Sequence, residues 1–230
     1  MTAPVPGATL HRLDVRDLGL VPYGEALELQ RRLADERIKG LIPDTLLLLE
    51  HPAVITLGRS WKQSSLPVDP EALRRRGIEV FDIERGGDVT YHGPGQLVGY
   101  PILDLNQHKP DLHWYLRQLE EMLIVALAGL GIPAERRDSY TGVWTGGRKI
   151  ASIGVHVRQW VTWHGFALNV TTDLTPFSLI VPCGIPDVEM TSVARETSPA
   201  GAPAGADPAL PARVRQAVVA AFQQTFGFSG

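Results

Sequence analysis

The chain reads Lys149-Ile-Ala-Ser-Ile-Gly-Val-His-Val157 and, shortly afterwards, Val161-Thr-Trp-His-Gly-Phe-Ala-Leu-Asn-Val170. Both stretches are rich in β-branched and aromatic residues, which favour strands. The break near Arg158-Gln159 is short enough for a tight turn, so the two stretches are predicted to pair as an antiparallel hairpin.

Residue preference and the spacing of apolar residues predict the other strands and helices of the chain. Further strands are predicted at residues 10–15, 44–50, 53–57, 78–83, 96–103 and 142–144, and helices at residues 23–39, 70–76, 112–130 and 214–226. Strands outnumber helices and short turns join many of them. This pattern predicts an α+β fold with mixed or antiparallel sheets and flanking helices, rather than a doubly wound parallel sheet.

The 230 residues are expected to form a single domain, with a loose tail at 1–8 and a flexible Ala/Pro/Gly-rich segment at 199–211. A net charge of −3 argues against a nucleic-acid binder, which needs a basic face. The apolar runs are too short to cross a bilayer, so no membrane is expected. A single cysteine and no export signal predict a reducing, cytoplasmic location.

That single cysteine, Cys183, stands in the stretch Ile180-Val-Pro-Cys-Gly-Ile185. Proline fixes one backbone torsion and glycine permits unusual ones, so the flanking residues can present the thiol on a turn. A free cysteine is more commonly a small buried hydrophobic residue. The residues around Cys183 favour a reactive thiol over that alternative.

A glycine-rich segment, Arg85-Gly-Gly-Asp-Val-Thr-Tyr-His-Gly-Pro-Gly95, is predicted to be a loop over residues 86–95. Glycines allow a ligand to approach the backbone and expose N–H groups. The spacing matches neither the P-loop nor the dinucleotide-binding pattern. Glycine content alone leaves a ligand loop and a tight hairpin equally open, and a lone histidine such as His92 is more commonly structural.

Lys149 heads the more apolar face of its predicted strand, since alternation places it with Ala151 and Ile153. A buried lysine loses stability in its ammonium form and can act as a general base or activate a thiol. Alternation alone slightly favours the other possibility, that Lys149 precedes the strand and extends its amine into water.

One further stretch, and the surroundings of one serine, are informative. In His164-Gly-Phe-Ala-Leu-Asn169 the small Gly165 and Ala167 share a face, which leaves room for a slender ligand or for close strand packing. Ser152 lacks the surroundings of a serine-hydrolase nucleophile. No close group of ligating side chains indicates a metal site.

Taken together, these segments resemble the lipoyl (octanoyl) transferase family. The resemblance runs from about residue 51 to residue 192. It rests on five motifs in order: His51-Pro-Ala-Val-Ile-Thr-Leu-Gly-Arg59, Arg85-Gly-Gly-Asp-Val-Thr-Tyr-His-Gly-Pro-Gly-Gln-Leu-Val98, Lys149-Ile-Ala-Ser-Ile-Gly154, His164-Gly-Phe-Ala-Leu-Asn169 and Pro182-Cys-Gly-Ile185.

The resemblance implies the fold of biotin and lipoate ligase catalytic domains, and a reaction. An octanoyl group leaves the thioester of acyl carrier protein and forms an acyl-thioester on Cys183. A lysine of a lipoyl domain, in a 2-oxoacid dehydrogenase E2 subunit or glycine cleavage H protein, then accepts it as an amide. This is the first step of endogenous protein lipoylation. Thioester chemistry implies no cofactor, neither ATP nor metal.

The resemblance also implies the roles of individual residues. Cys183 is the nucleophile, and Lys149 lowers the pKa of that thiol and serves as general base. The acyl site is implied to consist of Arg85, Gly86, Gly87, Asp88, Val89, Thr90, Tyr91, His92, Ser152, Ile153, Gly154, Gly165, Phe166 and Ala167.

Three alternatives remain distinguishable. An ATP-dependent lipoate or biotin ligase would need an adenylate site and no nucleophilic thiol. A thioesterase-like hydrolase would pass the acyl group to water. A non-catalytic module would bind lipoyl domains without any acyl transfer.

Overall fold

The computed structural model describes residues 12–138, 140–182, 188–198 and 207–229. The strands are β1 (Leu13–Leu20), β2 (Asp44–Glu50), β3 (Val54–Leu57), β4 (Glu79–Asp82), β5 (Val89–His92), β6 (Gln96–Ile102), β7 (Glu135–Arg137), β8 (Tyr140–Thr145), β9 (Arg148–Arg158) and β10 (Val161–Asn169). The helices are α1 (Tyr23–Ile38), α2 (Pro70–Arg75), α3 (Leu112–Gly129), α4 (Val193–Thr197) and α5 (Leu210–Phe226). Short 3₁₀ turns lie at Gln63–Ser65, Leu105–Gln107 and Thr175–Leu179.

Seven strands form a large mixed sheet in the order β1-β2-β6-β10-β9-β8-β7. Only β1 and β2 pair in parallel there, and the other neighbours are antiparallel. The predicted hairpin of β9 and β10 lies near its centre, closed by a turn in which Gln159 and Trp160 adopt positive φ. That backbone twist suits a two-residue hairpin loop.

Helices cover both faces of this sheet. The four consecutive leucines of β2 show why: Leu46 and Leu48 pack in the core with α3 and α5, whereas Leu47 and Leu49 pack in the core with α1. Successive side chains of a strand point to opposite faces, so a strand buried on both sides needs an unbroken apolar run.

A second sheet of three strands has the order β4-β3-β5, with β3 and β4 parallel and β3 and β5 antiparallel. It has its own apolar core, which includes Ile55, Leu73 and Phe177. The predicted α+β architecture with mixed sheets and flanking helices is confirmed.

Several predicted boundaries need correction. The stretch at 86–95 is not all loop, because β5 occupies Val89–His92 and pairs with β3. Strand β1 runs to Leu20, well beyond the predicted end at residue 15. Strand β7 and helix α4 were not predicted, because each has too few residues for its sequence to show a period.

The predicted flexible segment 199–211 is too long at its end. Helix α5 begins at Leu210, with proline in its first turn, where the missing N–H costs no helical hydrogen bond. Residues 199–206 and the predicted tail at 1–8 lie outside the described residues. Among the helices that are described, none is both long and apolar enough to cross a membrane.

Candidate active site

A cavity of about 200 Å³ lies between the two sheets. Its floor crosses four neighbouring strands of the large sheet, from Tyr100 on β6 through β10 and β9 to Thr141 on β8. Its roof is the glycine-rich segment and β5, with Tyr23 of α1 at one side. The full lining is Tyr23, Arg85, Gly87, Asp88, Thr90, His92, Tyr100, Tyr140, Thr141, Ser152, Ile153, Gly154, His164, Gly165, Phe166 and Ala167.

Glycines let the roof come close to the floor. A Cβ on Gly154 would lie 2.9 Å from the Gly86 carbonyl oxygen and 3.1 Å from Cδ of Arg85. The Gly86 N–H donates to the Val155 carbonyl at 2.9 Å, which ties the roof segment to β9. Backbone-to-backbone approach at this distance requires a residue without a side chain.

Arg85 is buried in the roof. Its guanidinium donates to the Thr56 carbonyl at 2.8 Å and to the Thr56 hydroxyl at 3.0 Å, and a further N–H reaches the Gly86 carbonyl at 3.1 Å. These bonds fix a cation beside the cavity. The carboxylate of Asp88 accepts from the Ser65 hydroxyl at 2.6 Å and thereby holds the other end of the segment.

At the β6 end the cavity is bounded by neutral histidines and tyrosines. His51 Nδ1 donates to the Val21 carbonyl at 2.7 Å, so its Nε2 accepts from the Tyr100 hydroxyl at 2.8 Å. Burial lowers the pKa of His51 to about 4. Burial, with the neighbouring His51, lowers the pKa of His92 to about 3. Both rings are therefore uncharged at neutral pH.

His92 is connected to the other end of the site by a chain of hydrogen bonds. The Gln96 amide nitrogen donates to Asn169 Oδ1 at 2.9 Å, so its oxygen accepts from His92 Nδ1 at 2.7 Å. Asn169 in turn donates to the Thr191 carbonyl, and the Thr191 N–H donates to the Lys149 carbonyl, both at 2.9 Å. The sequence motifs that contain Gln96 and Asn169 are thus joined through buried side chains.

His164 has an unusual environment. Its φ is 55°, a left-handed conformation that is uncommon for a residue with a side chain. Its Nε2 is buried without a hydrogen-bond partner among the described residues and lies 3.9 Å from Glu84 Oε1. Burial lowers the pKa of His164, which keeps this ring neutral as well.

Lys149 lies behind the β8 end of the cavity, is not one of the lining residues and is 0 % exposed. Its Nζ donates to the Thr141 carbonyl at 3.4 Å and lies 5.0 Å from the centre of the Trp144 ring, within cation–π range. Its backbone N–H donates to the Glu189 carbonyl at 2.8 Å. The possibility that Lys149 extends into water is wrong, because β8 and residues 188–191 enclose it.

Strict alternation along β9 is also wrong at its start. The pairing with β8 shifts between Val143 and Trp144, which leaves an extra residue in β9 near Ile150. Such a bulge interrupts the alternation of side chains. Ile150 and Ala151 accordingly both pack in the core with α3 and α5.

Most residues of the predicted acyl site line the cavity; Gly86, Val89 and Tyr91 do not. Val89 and Tyr91 instead pack in the core of the small sheet, Tyr91 edge-on to Phe177, because alternate residues of β5 point away from the cavity. Cys183 lies outside the described residues, whose nearest members are Pro182 and Val188.

Sequence reasoning did not select several lining residues: Tyr23, Tyr100, Tyr140, Thr141 and His164. Nothing in the sequence marked Tyr23 as a cavity residue, because an aromatic residue at the start of α1 also fits the apolar face of a helix. The small Gly165 serves strand packing, because its Cβ would lie 2.2 Å from the Gly99 carbonyl oxygen. No group of metal-ligating side chains occurs in the part of the chain that the structure describes.

Residues 22–223 match the family model of the lipoyl protein ligase A/B catalytic domain. An octanoyltransferase of Rubrobacter xylanophilus is 52% identical over 221 residues, which cover 95% of this chain and 96% of that protein. An octanoyltransferase of Gloeobacter violaceus is 51% identical over 211 residues, covering 91% of this chain and 88% of that protein.

Solved structures show the same fold at low identity. A lipoate-protein ligase A bound with ATP has a TM-score of 0.70 at 20% identity, covering 95% of this chain and 86% of that one. A bipartite lipoate protein ligase of Thermoplasma acidophilum, studied with its E2 lipoyl domain, has a TM-score of 0.70 at 19% identity, covering 95% and 86%. From the family match and the close relatives, the chain belongs to the lipoyl(octanoyl) transferases, within the lipoyl protein ligase A/B catalytic-domain family.

Proposed function

We propose that this octanoyltransferase takes the octanoyl group of octanoyl-acyl carrier protein, holds it as a thioester on Cys183 and passes it to a lipoyl-domain lysine. The observation that carries the proposal is the complete burial of Lys149 against Thr141, a residue that lines the cavity. Burying an amine costs free energy, and a role in proton transfer during catalysis explains why one is placed beside a cavity.

The cavity has suitable dimensions for the acyl chain. Four adjacent strands at a spacing of about 4.8 Å span roughly 14 Å. An extended chain advances about 3.5 Å for every three bonds, so an eight-carbon acyl group measures roughly 8 Å. The floor offers Phe166 and Ala167 as apolar contacts, and the cavity leaves length for the thioester beyond the chain.

The first half-reaction needs a thiolate. A thiol with an ordinary pKa of about 8.5 is only a few per cent ionised at neutral pH. Lys149 accepts the proton of the Cys183 thiol, or stabilises the thiolate by its charge. The sulfur attacks the thioester carbonyl of the donor and forms a new carbon–sulfur bond. The old carbon–sulfur bond then breaks, and the pantetheine thiolate leaves and takes up a proton.

The second half-reaction forms the amide. The amine of the acceptor lysine is mostly protonated at neutral pH and must lose a proton before it attacks the acyl carbonyl. Lys149 accepts this proton, and the Cys183 thiol is regenerated when its bond to the acyl carbon breaks. A thioester supplies enough free energy to form an amide, so the proposed reaction uses neither ATP nor a metal.

The proposed acceptors are lipoyl domains of 2-oxoacid dehydrogenase E2 subunits and of glycine cleavage H protein. The archaeal ligase of the same fold, studied with its E2 lipoyl domain, supports the first of these. The reaction is proposed to take place in the cytoplasm, in line with the single cysteine of the chain.

Intact-mass spectrometry tests the proposal. The wild-type protein incubated with octanoyl-acyl carrier protein should gain one octanoyl group and lose it when a lipoyl domain is added. Cys183→Ser should gain none. An undiminished adduct on that variant refutes the thioester. An octanoyl-adenylate formed from free octanoate and ATP would instead identify a ligase, and free octanoate formed without an acceptor would identify a hydrolase.

A further inference from the structure

Glu120 of α3 is a buried carboxylate whose two oxygens have different partners. Its side chain is 1% exposed. Oε2 accepts from Arg117 at 2.7 Å and from Arg136 at 3.2 Å. Oε1 accepts from the backbone N–H of Gly142 at 3.1 Å. A carboxylate is rarely buried to this extent, and the two arginines alone, which reach it from the protein surface, do not require the bond to Gly142.

The N–H of Gly142 and the carbonyl of Thr141 belong to one planar peptide group. Lys149 Nζ donates to that carbonyl oxygen at 3.4 Å. A carboxylate that accepts from the N–H polarises the peptide group and makes its oxygen a better acceptor. A single peptide group therefore connects Glu120 to the amine of Lys149.

The same peptide group lies directly against the lysine side chain. Gly142 has a φ of 139°, and a Cβ at this position would lie 2.9 Å from Cε of Lys149 and 2.7 Å from the Ala151 carbonyl oxygen. The pairing of β8 with β9 becomes irregular at the next residue, Val143. A regular strand ladder therefore does not determine the orientation of the Gly142 N–H here, and the bond that this N–H donates to Glu120 supplies that constraint.

We propose that Glu120 is a positioning residue for Lys149, acting through the Thr141–Gly142 peptide group. It orients the Thr141 carbonyl toward the amine and keeps Lys149 above the Trp144 ring. The inference rests on the proposed function for its catalytic consequence, since Lys149 matters to acyl transfer only if it serves the thiol. The placement of Lys149 itself can be measured without any reaction.

Nuclear magnetic resonance of protein labelled at lysine Cε provides that measurement. The lysines are Lys39, Lys62, Lys109 and Lys149, and Lys149→Met identifies the resonance of interest. The Trp144 ring should shift the Lys149 ε-methylene resonance away from the positions of the other three. Glu120→Met, which keeps the volume and removes the acceptor, should move it toward them. Glu120→Gln, which keeps an acceptor oxygen, should retain the wild-type shift.

Glu121→Ala is the matched control, because Glu121 directly follows Glu120 on α3 and pairs with Arg136 but accepts no bond from Gly142. Its Lys149 resonance should not move. An unmoved resonance in Glu120→Met, accompanied only by a lower melting temperature, overturns the inference. A full loss of the Lys149 shift in Glu120→Gln also overturns the inference. It would show that the charge of Glu120, and not its bond to Gly142, determines the position of Lys149.

If Glu120→Met does not fold, Arg117→Ala decides the question. It removes one cation from Oε2 and leaves the Gly142 bond in place, so an unmoved Lys149 resonance supports the inference and a displaced one overturns it. In the transfer assay, Glu120→Met should lower kcat about tenfold with an unchanged KM for the donor. If the resonance behaves as expected but Lys149→Met transfers at the wild-type rate, the proposed function fails and the positioning role remains.

Discussion

Buried titratable side chains lie at or behind both ends of the cavity, but they are held in different ways. At the β8 end, Lys149 has a backbone carbonyl and an aromatic ring as neighbours. At the β6 end, His51 and Tyr100 satisfy each other, and burial keeps the histidines neutral. The amine beyond the β8 end faces a carbonyl oxygen and an aromatic ring, whereas the histidine rings at the β6 end are neutral and lie near the buried Arg85 cation. Under the proposed function, this difference assigns proton transfer to the β8 end and acyl binding to the rest of the cavity.

The largest expected effect comes from removing the amine at the β8 end. Lys149→Met should lower the rate of acyl transfer by about 10²–10⁴-fold, the usual contribution of a general acid or base. The neutral end is unchanged, so donor KM should stay near the wild-type value. Steady-state kinetics and the pH profile of thiol alkylation measure both effects.

Lys39→Met is the control for that experiment, because Lys39 is exposed beyond the end of α1. It should transfer at the wild-type rate. A wild-type rate in Lys149→Met, or a change confined to KM, would mean that the two ends do not divide chemistry from binding.

An intermediate effect is expected where the roof meets the floor, between the two ends. Gly154→Ala places a Cβ 2.9 Å from the Gly86 carbonyl oxygen, so the roof must move away from β9. Transfer should fall about tenfold, mainly through a higher donor KM, because the acyl chain loses its enclosure while Lys149 keeps its partners.

Gly129→Ala is the matched control. Its Cβ meets nothing within 4 Å at the end of α3. This variant should keep the wild-type KM and gain about 0.5–1 kcal/mol of stability from a less flexible unfolded chain. If both variants retain the wild-type KM, the close contact of roof and floor has no part in binding the donor.

The last expected effect is on stability rather than on acyl transfer, and it is the pH dependence of the free energy of unfolding at the β6 end. As the pH falls below about 6.5, the unfolded chain protonates its histidines, whereas folded His51 and His92 do so only near pH 4 and pH 3. The free energy of unfolding should therefore decrease between pH 6.5 and pH 4, by at most about 1.4 kcal/mol per pH unit for each histidine.

Urea titrations at several pH values measure this slope. His92→Asn should make it shallower, and His113→Asn, which changes an exposed residue of α3, should leave it unaltered. Equal slopes in the wild type and His92→Asn would show that this ring accepts a proton in the folded protein as easily as in the unfolded chain.

Sequence patterns determined a large part of this protein. The β-branched and aromatic residues of β9 and β10, the helical spacing of the leucines in α3 and the apolar run of β2 reflect local geometry and burial. These features predicted the strands and the helix. The five ordered motifs identified the family and most of the residues that line the cavity. Such features depend on residue type and spacing, which the sequence contains directly.

Only the tertiary structure decided how these parts meet. The full burial of Lys149 depends on β8 and on residues 188–191, and the bulge at the start of β9 displaced its predicted alternation. Tyr23, Tyr100 and His164 reach the cavity because sheet order brings β6, β10 and α1 together. Pairing between distant strands and packing against a helix are long-range choices, and no short window of sequence records which partners a strand will find.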